Sequence, residues 1–186
     1  MNWPLFALCL WILLGFELSA KAIIALGPTG IAPSFVIPLA VFVALGAPPV
    51  HALWACLIAG LCLDLTGRAG GSDAVVPGPH ALGMLLAGQL VLATRSIVIR
   101  RNPLTLAALS AAAALLTGLV VVFLYGIRSL LFGSVDASGW DQLVARSGAA
   151  LYTGVTGLLL ALVLVPSVGL FGFQTDHLGR GGSRRF

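Results

Sequence analysis

Asp64 and His80 are the side chains whose types and positions could do chemistry, because each stands in or beside strongly apolar sequence. In "LIAGLCLDLTG", residues 57–67, Asp64 comes near the end of an apolar run, with Gly60 before it and Gly67 after it. An isolated Asp at the centre of a membrane-spanning helix costs roughly 2.5–3.5 kcal/mol on insertion scales, and less near a helix end. Such a residue therefore faces a protein interior or a wet cavity. Cys56, Gly60, Asp64 and Gly67 recur at spacings of four, four and three, which places them on one small, polar helical face. Ala55 and Ala59 add a small-xxx-small pair on the adjoining stripe, suited to close approach by another helix. The donors available to Asp64 are the backbone amides around Gly78, the ring of His80, and Arg68 one turn further on. The plain reading is that Asp64 caps a helix or pins the following loop; a proton or ion site is the alternative.

His80, Gly83, Ala87 and Thr94 fall at helical spacing and offer a matching face on the next segment. A single His without a second ligand reads as a hydrogen-bonded residue at a helix start rather than a metal ligand. Glu17 and Lys21 are four apart with the acid first, the arrangement of an ion pair near a helix end, where a long side chain reaches the membrane surface. A substrate or partner contact is the other use of that pair. Cys9, Cys56 and Cys62 all lie in apolar runs at spacings that suit neither a metal site nor a disulfide framework, and read as small buried hydrophobes.

Catalytic readings lack parts. "DLTG" at 64–67 superficially matches the phosphorylated-aspartate motif of P-type ATPases, but the motif's Lys and a nucleotide domain are missing. The sequence holds no P-loop, no H-E-x-x-H and no G-x-S-x-G. An intramembrane aspartyl protease needs a second Asp deep in a span, whereas Asp73, Asp136, Asp141 and Asp176 lie in polar segments. The expectation is a protein that is not an enzyme and holds neither cofactor nor metal.

The elements that must position these residues follow from composition. Of the 186 residues, 59% are hydrophobic and 9% charged, against roughly 25% charged in a soluble domain. Apolar runs of about 17–25 residues suffice for a helix to cross a bilayer core of about 30 Å. Runs such as "LTLAALSAAAALLTGLVVVFLYG" lack the period-two alternation of barrel strands. The expected fold is all-α, a polytopic transmembrane bundle with about six spans in a single domain, residues 1–173, followed by a basic, disordered cytoplasmic tail at 174–186. The expected segments are Trp3–Ala25, Ala32–Ala47, Val50–Leu65, His80–Ile99, Leu104–Ile127 and Ser147–Val165. The second and third are short and separated by Pro48 and Pro49, which suggests tilted or locally buried helices, with re-entrant hairpins as the alternative. Residues 132–148 form the one sizeable polar loop, where Trp140 would anchor at the interface.

Six spans bring both termini to one side. That side carries Arg100, Arg101, Arg180, Arg184 and Arg185, with Arg95 close by, against Lys21, Arg68, Arg128 and Arg146 opposite. The positive-inside bias then places both termini in the cytoplasm. The net charge of +4 reflects loop arginines facing anionic lipid, not a nucleic-acid footprint.

"AGLCLDLTG", followed by "GPHALGMLLAGQLV" and "RSIVIRRN", resembles the centre of MreD, the small rod-shape-determining membrane protein family of bacteria. In that family the third span ends in a Gly-xxx-Asp-Leu-xx-Gly pattern and the fourth opens on Gly-x-His-Ala-Leu. The matching positions are Gly60, Asp64, Leu65, Gly67, Gly78, His80, Ala81 and Leu82, within about forty residues. The loop between Gly67 and Gly78 is several residues longer than is usual there. The resemblance implies a non-enzymatic component of the cell-elongation machinery in the bacterial inner membrane, which organises peptidoglycan synthesis and maintains cell shape. It implies MreC-like proteins, the MreB cytoskeleton, RodA and class B penicillin-binding synthases as partners, with Arg100, Arg101, Arg184 and Arg185 facing membrane lipid or cytoplasmic partners. The competing reading is the substrate-binding membrane subunit of an energy-coupling-factor vitamin transporter, also a compact six-helix protein, which requires a ligand cavity near the outer face.

Overall fold

The computed structural model describes residues 1–24, 31–66, 77–98, 102–132 and 139–173, and within them all side chains but those of 20–22, 129, 132 and 139–141. It is built from α-helices: α1 (Trp3–Ile24), α2 (Val36–Gly46), α3 (Pro49–Thr66), α4 (Pro79–Thr94), α5 (Pro103–Phe132) and α6 (Gly139–Leu164), closed by a 3-10 turn at Pro166–Gly169. Three stretches, Pro49–Thr66, Pro103–Arg128 and Gln142–Leu164, are long and apolar enough to cross a membrane. Large apolar side chains such as Trp11, Ile23, Phe123 and Leu151 stand on the outside, as lipid contact requires. The chain is a helical membrane protein.

Every residue of α2 from Val36 to Leu45 is buried. A helix apolar all round belongs in a core, and here it lies at the centre of the others. Its 11 residues extend only about 16 Å, roughly half the thickness of the hydrocarbon layer. Ala47, just past its carboxyl end, is buried, whereas Pro48 and Pro49 are exposed, so the helix reaches one end of the bundle and does not span it. At the carboxyl end, the Arg95 guanidinium donates to the Ala47 carbonyl at 3.1 Å. A cation at the negative end of a helix also suits its macrodipole.

α5 and α6 form the longest packed pair, and small residues line their seam. A Cβ on Gly154 would sit 3.0 Å from that of Ala111, and one on Gly157 would sit 3.0 Å from that of Ser110. Among lipids, where apolar surface gains little by leaving its solvent, such close backbone approach supplies the attraction between helices. At the end of the bundle where the chain begins, the Asn2 amide donates to the Phe171 carbonyl at 3.0 Å. Phe42, Phe171 and Phe173 cluster there, with ring centroids 5.3–5.5 Å apart, over a glycine, Gly46, that leaves room for the Phe173 ring.

The helix bounds depart from the sequence expectation in ways that have local causes. α2 starts at Val36, not near Ala32, because Ser34 is drawn into contacts with α1 and α6. α4 ends at Thr94, five residues before Ile99: the Thr94 hydroxyl bonds back to the Leu90 carbonyl at 3.0 Å, and Arg95 turns towards Ala47. α6 starts at Gly139, so the second half of the expected 132–148 loop is helix. The interfacial role of the Trp140 side chain, the Lys21 side chain and the tail 174–186 fall outside the described residues.

Candidate functional site

Asp64 lies in the last turn of α3 and is 3% exposed. Its Oδ2 accepts from the backbone amides of Gly78 at 2.8 Å and Ala81 at 3.0 Å. Its Oδ1 accepts from the His80 amide at 2.9 Å and, at 2.8 Å, from the His80 ring Nδ1. Four donors match the acceptor capacity of one carboxylate. The first turn of α4 is thereby fully accounted for: Pro79 has no N–H, and the Leu82 amide returns to the Gly78 carbonyl at 2.8 Å. The negative charge also lies at the positive end of the α4 dipole.

Two glycines make this approach possible. Gly78 has φ +128°, a region that side-chain-bearing residues rarely adopt. A Cβ on Gly60 would lie 2.6 Å from the Ala81 Cα and 2.8 Å from the His80 carbonyl oxygen, so α3 and α4 touch backbone to backbone. One turn back, Cys56 meets α4 at Gly88, where a Cβ would stand 2.8 Å from its sulfur. Cys56, Gly60 and Asp64 therefore share a face of α3 that is turned to α4.

The matching face on α4 differs from the one expected. Gly83 looks away from α3: a Cβ there would lie 2.9 Å from the Thr117 Cα of α5. α4 runs between α3 and α5, so its small residues serve two neighbours, Gly88 and Ala81 towards α3 and Gly83 towards α5. Thr94 is spent on its own helix. Thr117, buried against Gly83, has a hydroxyl without a hydrogen-bond partner among the described residues. Gly67, Arg68, Arg100, Arg101, Arg184 and Arg185 fall outside the described residues.

A second carboxylate, singled out in the sequence for its spacing from Lys21 and not for this role, does the same work. Glu17, on α1, is buried, and its Oε2 accepts from the Ser34 hydroxyl at 3.0 Å and the amides of Phe35 at 3.0 Å and Val36 at 3.2 Å. The Ser34 hydroxyl oxygen accepts from the Ile37 amide at 3.4 Å, and Pro38 has no N–H to place, so the start of α2 is also satisfied. Ser34 reaches further: its amide donates to the Thr153 hydroxyl at 3.0 Å, and the Thr156 hydroxyl donates to its carbonyl at 3.4 Å. Glu17 and Ser34 thus join α1, α2 and α6. The available signal was an acid late in one apolar segment, then a Gly- and Pro-rich turn and a proline early in the next segment, the same order that surrounds Asp64.

Chemically, both carboxylates act as fixed anions that complete helix starts. Among the described residues no group of three or more His, Cys, Asp or Glu side chains could hold a metal ion. Comparison with protein-family models, with curated proteins and with solved structures gave no significant match.

Proposed function

We propose that the protein is a non-enzymatic, multi-pass component of the bacterial inner membrane, with six membrane-embedded helices and both termini in the cytoplasm, that serves the cell-elongation complex as an MreD-like scaffold. The observation that carries this reading is the use of Asp64: the residue central to the resemblance accepts four hydrogen bonds from the start of α4 and fixes the α3–α4 hairpin. A residue so engaged shapes a surface instead of transforming a substrate. In this reading the hairpin, with the lipid-facing sides of its neighbours, presents a rigid face to an MreC-like protein and, through it, to MreB, RodA and a class B penicillin-binding synthase.

The test is mild-detergent isolation of the tagged protein from its native membrane, followed by mass spectrometry of the proteins recovered with it. An MreC-like protein together with elongation synthases is the expected result. Recovery of paired ATPases and a coupling membrane subunit would overturn it in favour of the vitamin-transporter reading.

A further inference from the structure

At the end of the bundle away from Asn2 and Phe171, a groove of about 260 Å³ opens between the start of α4 and the last turns of α5. Its walls are mostly apolar, from Pro79, Leu82 and Leu124, and its polar side chains are those of Tyr125 and Arg128. Arg128 is exposed among apolar side chains that are also on the outside, with Ile127 before it and Leu130 and Leu131 after it. No acceptor among the described residues pairs with its guanidinium. The nearest helix start offers no counter-charge, since Asp64 is turned into the α3–α4 contact and engaged by its four donors.

A second cation lies against the other side of α5. Arg146 of α6 lies over Gly118 of α5, with its Cβ 3.3 Å from where a Gly118 side chain would begin, and it is within electrostatic reach of Tyr125. It too has no hydrogen-bond acceptor among the described residues. Arg128 and Tyr125 border the groove, and Arg146 adds positive charge from the α6 side of the same helix. Uncompensated guanidinium groups in such surroundings call for an anion, and planar guanidinium matches phosphate oxygens in pairs.

We propose that this groove binds an anionic phospholipid, its phosphate held by Arg128 and Tyr125 with Arg146 supplying further positive potential, and part of an acyl chain lying against Leu82 and Leu124. The groove volume falls below the roughly 300–1,000 Å³ of sites that enclose a small soluble ligand. A headgroup and a length of chain, the remainder staying in the bilayer, suit it better. The proposal is independent of the scaffold reading and holds whichever partners the protein has.

The test uses the full-length protein in mild detergent and native mass spectrometry with phosphatidylglycerol or phosphatidylcholine of identical chains. Preferential retention of phosphatidylglycerol is expected, falling roughly fivefold in Arg128→Gln and again in the double variant with Arg146→Gln, at about 1 kcal/mol per arginine near the surface. Leu82→Trp, which fills the groove, should displace both lipids. Thermal melting checks that each variant is folded; Arg128 is exposed, so Arg128→Gln alone decides if the double variant is not. Equal retention of the two lipids by the wild type, or undiminished phosphatidylglycerol on folded Arg128→Gln, would overturn the proposal. So would competition by soluble glycerol phosphate as effective as by the lipid, which would mark a site for a soluble anion.

Discussion

Two helices of this bundle, α2 and α4, begin on a carboxylate supplied by an earlier helix, and the two arrangements distribute the same charge differently. Asp64 uses both oxygens, for three amides and a ring nitrogen of one short segment, and so clamps one pair of helices. Glu17 directs one oxygen at a hydroxyl and two amides, and the hydroxyl belongs to a residue that α6 also holds. The first is a dense local lock; the second is a junction of three helices. A short Asp at a backbone contact permits no slack, whereas a longer Glu reaches across a gap through Ser34.

Substitutions can break or sharpen that contrast. The largest effect is expected for Asp64→Ala, which leaves the amides of Gly78, His80 and Ala81 without an acceptor in a buried place; on the order of 3 kcal/mol should be lost, read as a lower thermal midpoint in detergent and lower abundance in the membrane. Wild-type abundance and melting would show that the lock does not hold α4. Gly60→Ala comes next: its Cβ would meet backbone at 2.6 Å, so α3 and α4 must separate, at about 2 kcal/mol, while Gly126→Ala, with nothing within 4 Å, should leave the midpoint nearly unchanged. If the two alanines behave alike, the contact at Gly60 is looser than described.

Amide replacements then separate the two carboxylates. Glu17→Gln keeps a carbonyl oxygen for the Ser34 hydroxyl and the amides of Phe35 and Val36 and should cost about 1 kcal/mol or less. Asp64→Asn turns an NH₂ towards N–H groups and should cost clearly more in the same melting experiment. The reverse order would exchange the roles assigned to them. The smallest effect is expected for Thr117→Val, which removes a buried hydroxyl that has no partner among the described residues; the midpoint should stay within the equivalent of about 0.5 kcal/mol or rise slightly.

These contrasts also explain what could be read from the residues alone. The α3 face was legible because Cys56, Gly60 and Asp64 repeat at helical spacing and a helix keeps that order wherever it packs. The α4 face was not, since Gly83 and Gly88 look alike in sequence and only the placement of α4 between two neighbours assigns one to each. Glu17 was obscured by Lys21, four residues on, which offered a nearer partner than a serine beyond a turn. That α2 is short and stops before Pro48 and Pro49 showed in the sequence, but its start at Val36 and its central position depend on the other helices. Arg95 carried no mark at all: it read as one more basic residue near a loop, and its role rests on a carbonyl 48 residues earlier in the chain.

That last distance has a consequence for how the protein is made. During synthesis α2 emerges before the residue that closes its carboxyl end, and alone it is too short to reach both faces of the bilayer. Its partner at the other end, Glu17, is already present, but Arg95 arrives only with the end of α4. The amino-terminal third of the chain therefore stays an unfinished insertion intermediate until translation has passed Arg95, and a nascent chain halted just after α3 should be a preferred target for membrane proteases.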